Sequence, residues 1–192
     1  FPIIADAELA KRARQIYHPY SIKEKYILSH GGSSFGSPSF SPLTNLLYIT
    51  GKNAAVSFTA KPVGDTLRHG HGGNIGHDRS IAEGPFRADE VGVPNTETVT
   101  AFHPGTGELV WQAEFPTTSS IGSAGNFVTA GNLVFQGSES GQFHAFDARD
   151  GKPLFTYKAP RSIRTSPLTY KANGQQYVTV VATNAVLTFG LP

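Results

Sequence analysis

The chain has 192 residues, enough for one ordinary domain with a real core. Hydrophobic residues make up 39% and charged residues only 16%, with 21 Gly and 13 Pro, a balance that fits short strands joined by turns and excludes a helical bundle or a disordered tail. A formal charge of +2 with no Lys/Arg run argues against nucleic acid, no stretch approaches the ~18 apolar residues of a membrane span, and the lack of Cys excludes disulfides, a c-type haem attachment and a Cys-based zinc site within this chain.

In chain order, residues 6–17 read as a helix. Asp6 is a suitable N-cap, Lys11, Arg12 and Arg14 suit the C-terminal dipole, and Leu9, Ala13, Ile16 and Tyr17 share one face. A strand over 25–28 follows and ends at Gly31 and Gly32. Strands over 37–40 and 46–50 flank the turn at 42–45 and predict a hairpin. Residues from about 54 to 95 read as one irregular loop rich in Gly, His and Pro, expected to be functional or mobile. Within it His69, His71, His77 and Asp78 could be set against a metal, but the surrounding glycines favour a solvated loop with no fixed geometry. Strands over 98–102 and 108–112 resume the pattern.

Residues 126–157 predict four antiparallel strands with turns at 130–132, 138–141 and 148–151. Residues 166–189 predict three more, with a turn at 172–174. One phrase also occurs twice, from Ala101 to Trp111 and, forty-four positions on, from Ala145 to Phe155. Apolar residues recur at the same offsets, Gly107 and Gly151 close equivalent turns, and an aromatic ends each copy. A period of this length with four short strands marks a β-propeller blade. The fold class is therefore all-β: a propeller segment of about three four-stranded blades from a larger ring, with one N-terminal helix. One propeller domain spans 1–192, with helix and lead-in strand over 1–30. A blade covers 37–115 with the long loop 54–95, a second 120–159, and an incomplete last blade 163–192. A fourth blade over 1–30 is the competing reading. Trp111 and Phe155 are expected to pack between blades. Val178, Val180, Leu187 and Phe189 are expected to form an apolar face left uncovered by the missing neighbour. A chain that starts at Phe1 and has no Met reads as a processed chain or a piece of a longer protein.

Three stretches carry a family resemblance. The first is Gly31, Gly32, Ser33, Ser34 and Phe35 with the hairpin after it; the second runs from Thr129 to Gly137 and on to Asp147; the third joins Ser166–Tyr170 to Gly174–Val178. Over nearly all of residues 25–192 the chain resembles the C-terminal part of the pyrroloquinoline-quinone (PQQ)-dependent alcohol dehydrogenases, which are eight-bladed propellers. The repeated phrases look like that family's tryptophan-docking motifs, Trp111 keeping the tryptophan and Phe155 replacing it.

The resemblance implies a quinoprotein oxidoreductase acting on alcohols or related substrates, with PQQ as cofactor. It implies calcium or a lanthanide whose ligands lie outside this chain, and it assigns no catalytic residue and no metal ligand within it. One side of the cofactor pocket is implied at Gly31, Gly32, Ser34, Phe35, Ser123, Ala124 and Gly125. Ser34 stands where the family has Asn and Phe35 where it has Trp, while residues 123–125 stand where many members have Asn-Gly-Gly or Trp-Gly-Gly. Ser still donates a hydrogen bond and Phe still offers a ring. From the residues alone, Gly31 and Gly32 could bring backbone close to a planar group or relax a bend between strands. The implied partners are the remaining blades of the same propeller, a small-molecule substrate and a cytochrome electron acceptor, with no nucleic acid and no membrane span; the implied location is periplasmic or secreted. The alternative is a non-catalytic propeller of the same superfold acting as a binding scaffold. On either reading, this chain alone is expected to be inactive.

Overall fold

The computed structural model describes residues 26–29, 36–53, 55–58, 95–117 and 124–190. Thirteen strands cover most of them. In chain order these are β1 (Tyr26–Ser29), β2 (Ser39–Ser41), β3 (Leu46–Asn53), β4 (Ala55–Phe58), β5 (Thr96–Phe102), β6 (Leu109–Pro116) and β7 (Asn126–Val128). They continue as β8 (Leu133–Gly137), β9 (Gln142–Asp147), β10 (Pro153–Lys158), β11 (Leu168–Ala172), β12 (Gln175–Ala182) and β13 (Ala185–Gly190). The helix expected over 6–17 lies outside the described residues, as do His69, His71 and His77 of the long loop.

The chain divides into two units, one built from residues 1–30 and 54–94, the other from 31–53 and 95–192. In the first, β1 pairs antiparallel with β4, Tyr26 opposite Phe58. This corrects the reading of 54–95 as wholly irregular. Ala55, Val56, Ser57 and Phe58 carry enough β-branched and aromatic character for a strand, and the Gly- and Pro-rich stretch that follows conceals it.

The second unit holds three antiparallel sheets, ordered β2-β3-β5-β6, β7-β8-β9-β10 and β11-β12-β13. The second and third are meanders of consecutive strands, whereas in the first β3 and β5 are neighbours although β4 lies between them in the chain. The turn chemistry explains the register. Asn45 closes the β2–β3 turn with φ 54°, and Asn173 and Gly174 close β11–β12 with φ 51° and 83°, the pair of positive values a tight two-residue hairpin requires.

The repeated phrase is repeated in three dimensions. Gly107 N–H donates to His103 O at 2.8 Å, and forty-four positions later Gly151 N–H donates to Asp147 O at 2.9 Å. Both glycines have φ 73°. Each copy then shifts register once, leaving Val110 out of the β5–β6 ladder and Leu154 out of the β9–β10 ladder. These equivalent bulges leave both residues exposed. The indole of Trp111 covers Gly151 of the next sheet and donates from Nε1 to Ala148 O at 3.0 Å. Tyr48 OH donates to the same carbonyl at 2.9 Å.

Two cores lie between the sheets. Leu46, Tyr48, Val99, Ala101, Trp111 and Phe115 of the first sheet pack with Val134, Phe146 and Ala148 of the second. Phe135, Phe143 and Ala145 of the second pack with Ile163, Val178, Val180 and Ala182, while Leu187 and Phe189 lie against them. Burying side chains of this size contributes about 1.5–3 kcal/mol each. Val178 and Val180 are therefore covered, contrary to expectation. The alternation was read correctly but assigned to the wrong side of the sheet. The exposed phase holds Leu168, Tyr170, Val181 and Val186. Phe155 does reach the next sheet, edge-on to Phe189 at 5.8 Å, but it sits on an outer strand and stays half-exposed.

Candidate functional site

The first strand of each sheet is preceded by a lead-in segment. Ser37 enters β2, Ala124 and Gly125 enter β7, and Ser166 and Pro167 enter β11. The three segments meet at Gly125. A Cβ on this residue would collide with Ser166 Oγ and come within 2.7 Å of Ser37 N. Glycine is required there by the close approach of two neighbouring chains. The next residue continues the junction, Asn126 N–H donating to Ser37 O at 3.1 Å.

A buried polar layer backs this junction. Gln136 on β8 is fully buried. Its Nε2 donates to Ala124 O at 3.1 Å and Gly137 O at 2.6 Å, and its Oε1 accepts from Thr50 Oγ1 at 2.7 Å. Asn126 Nδ2 donates to Tyr48 O and to Thr50 Oγ1, both at 3.1 Å, while Ser39 Oγ donates to Asn126 Oδ1. Two amides and two hydroxyls thus join β2, β3, β7 and β8, with no amide oxygen or nitrogen of Gln136 or Asn126 unpartnered.

The same end of the sheets carries an ionic cluster in which Lys52, Glu97 and Glu139 are buried and Arg164 is exposed. The inward positions of β3 run Leu46, Tyr48, Thr50, Lys52, so Lys52 arrives at the lead-in end and pairs in register with Glu97 of β5. Lys52 Nζ lies 3.7 Å from Glu97 Oε1 and 3.7 Å from Glu139 Oε2. Arg164 Nε lies 2.9 Å from Glu139 Oε1. The Glu139 N–H donates to both Glu97 oxygens, at 3.2 and 3.1 Å. Burial pushes the Glu97 carboxyl above its ordinary range, opposed by that backbone N–H and by Lys52. Two cations and two carboxylates so link the first sheet, the β8–β9 turn and the segment leading into β11.

Of the residues singled out from the sequence, Gly31, Gly32, Ser34, Phe35 and Ser123 lie outside the described residues. Ala124 and Gly125 are both buried at the junction of the lead-ins. A cavity of about 630 Å³, lined in part by Arg161, Arg164, Thr165 and Thr183, opens on the third sheet, and neither Ala124 nor Gly125 is among its described lining residues. Among the described residues no cluster of three His, Asp or Glu could hold a metal ion. Gln136, Thr50, Asn126 and the charged cluster were not singled out. For Gln136, Thr50, Asn126, Lys52 and Glu97 the only signal is a polar side chain in the inward phase of a strand, and Glu139 and Arg164, in a turn and a lead-in segment, carry none.

Residues 95–189 match the family described as outer membrane protein assembly factor BamB. The chain is 33% identical over 181 residues to the dehydrogenase subunit of the quinone alcohol dehydrogenase of Gluconacetobacter polyoxogenes, covering 88% of this chain and 24% of that protein. It is 31% identical over 159 residues to the 1-butanol dehydrogenase (cytochrome c) of Thauera butanivorans, covering 77% of this chain and 21% of that protein. Among solved structures, the quinohemoprotein alcohol dehydrogenase ADHIIG of Pseudomonas putida HK5 superposes with a TM-score of 0.62 at 26% identity, over 80% of this chain and 22% of that one. A europium-containing methanol dehydrogenase, at 23% identity and a TM-score of 0.55, shares the fold. The chain spans under a quarter of the length of these relatives.

Proposed function

The chain belongs to the quinoprotein alcohol dehydrogenase family, and from that membership we propose that it forms one side of the PQQ pocket of an oxidoreductase acting on alcohols or related substrates. The observation that carries this reading is the convergence of three lead-in segments at Gly125, one of them continuing directly from Ser34 and Phe35. Ala124 carries only a methyl group and Gly125 no side chain, and Gln136 fixes the Ala124 carbonyl, so backbone here could lie close to a planar ring system.

When bound, the quinone supplies a two-electron acceptor for hydride. This chain's part is to hold it. Gly31 and Gly32 would let backbone approach, Ser34 would donate a hydrogen bond, Phe35 would offer an aromatic face, and Ser123, Ala124 and Gly125 would close the side. The base that takes the substrate hydroxyl proton, and the ligands of calcium or a lanthanide, belong to the remaining blades of the same propeller. A cytochrome as electron acceptor and a periplasmic or secreted location complete the proposal.

The scaffold reading has one observation in its favour: the family that matches residues 95–189 is described as an assembly factor. Titration of the full-length protein with PQQ and calcium separates the two. Saturable quinone binding with dye-linked oxidation of primary alcohols is expected, and no turnover is expected from residues 1–192 alone. A full-length protein that takes up no quinone would leave the scaffold reading standing instead.

A further inference from the structure

Gln136 is an unusual residue for its position. It lies in β8 beside Val134 and Phe135, fully buried, where an apolar side chain would bury at lower cost. What an amide adds there is direction. Its Nε2 holds Ala124 O, a carbonyl that lies ahead of β7 and outside the β7–β8 ladder, whose register begins with Asn126 opposite Gln136. Its Oε1 accepts a hydrogen bond from the Thr50 hydroxyl on the neighbouring sheet, and that hydroxyl in turn accepts from Asn126. The position of Ala124 is thereby referred to two sheets at once. Gly125 has no side chain with which to fix itself, and Ser166 and Ser37 N press against it from the other side.

We infer that Gln136, oriented by Thr50, is a positioning residue for the cofactor wall. Through the Ala124 carbonyl it sets the height of Ala124 and Gly125 against the quinone, and it touches neither cofactor nor substrate. This rests on the pocket assignment proposed above. A buried network with every amide atom used has one low-energy geometry, so loss of one bond should shift the segment rather than merely loosen it.

The test uses the full-length protein as wild type, Gln136→Met, Gln136→Glu and Thr50→Val. Gln136→Met keeps the volume and removes every polar contact. Gln136→Glu keeps the acceptor for Thr50 and removes the donor to Ala124. Thr50→Val is the milder change if the first two fold poorly. Quinone dissociation constants from absorbance titration should rise about tenfold or more for both Gln136 variants and severalfold for Thr50→Val, in line with loss of one or two oriented hydrogen bonds. The absorption band of the bound quinone should shift, and the substrate KM should change less than twofold. In the protein without quinone, amide hydrogen exchange should accelerate at residues 124–126 and not at β12. Quinone affinity within twofold of wild type, with only the melting temperature lowered, would overturn the inference and leave Gln136 a stability residue. A wild-type protein that binds no quinone would instead overturn the pocket assignment, and the inference with it, before any substitution is made.

Discussion

The imidazole of His144 sits on β9 between two aromatic rings, 4.8 Å from Phe115 of the first sheet and 5.4 Å from Phe146. Nδ1 meets Thr156 Oγ1 at 3.1 Å, and Nε2 is buried with no hydrogen-bond partner among the described residues. Burial therefore pushes the group from 6.5 down to about 4. In the unfolded chain it takes a proton near 6.5, so the unfolded state binds more protons between the two values. Stability attributable to His144 is complete above pH 6.5 and is lost as pH falls toward 4. At about 1.4 kcal/mol per tenfold change in proton affinity, the whole effect is about 3 kcal/mol, of which about 2 kcal/mol falls between pH 7 and pH 5. Glu97 acts in the opposite sense. Its raised value favours the protonated fold, so it contributes stability at low pH that is lost as pH rises through its folded value. Only a difference between variants isolates the histidine. Chemical denaturation of wild type and His144→Phe at pH 7 and pH 5 should show the wild type losing about 2 kcal/mol more than the variant on acidification. Equal losses would mean that the imidazole is hydrated in solution and that the aromatic sandwich does not exclude water.

The two repeat glycines make a matched pair. Both have φ 73°, but a Cβ on Gly107 meets nothing within 4 Å, whereas one on Gly151 comes within 2.5 Å of Trp111 Cε3. Gly107→Ala should cost about 1 kcal/mol from backbone strain alone, and Gly151→Ala about 3 kcal/mol because the indole must also move; equal losses in denaturant would show that Trp111 does not dock on the turn. For the ionic cluster, Glu97→Gln mimics the protonated carboxyl. The stability gap between variant and wild type should therefore shift in favour of wild type as pH falls, and a gap independent of pH between 7.5 and 4.5 would exclude an ionised, desolvated Glu97.

Much of the fold was legible because propeller strands are short, paired with their chain neighbours and punctuated by turn residues. The strands expected over 126–157 appear as β7 to β10, and the expected asparagine and glycine turns carry the positive φ values. Two expectations failed for physical reasons. Ala55–Phe58 forms a strand whose partner is Tyr26–Ser29, so nothing in its immediate neighbourhood announces the pairing. The phase of β12 and β13 that the sequence suggests is open is the closed one, with Val178 and Val180 buried and Leu187 and Phe189 partly so. Alternation identifies two sides of a sheet but not which side meets the preceding sheet, and β12 carries apolar residues in both phases, Val178 and Val180 on one and Val181 on the other.

The site was less legible, yet one gradient in the sequence points to it. Along β3 the inward residues pass from Leu46 and Tyr48 to Thr50 and Lys52. Along β5, which runs the other way, they pass from Glu97 to Val99 and Ala101. Opposed strands thus become polar at the same end, and that end is where the lead-in segments meet. A buried Lys or Glu is tolerated only where a partner and further hydrogen bonds compensate its desolvation, so charges concentrate where several chain segments converge to supply them. The apolar end carries no buried charge pair among the described residues, and there Trp111 and Tyr48 pack and donate to the Ala148 carbonyl. Polar residues in the inward phase of a propeller strand, read with strand direction, therefore mark the end of the blade at which loops are held in place. In this chain that end carries Ala124 and Gly125, the described residues that we propose for the cofactor wall.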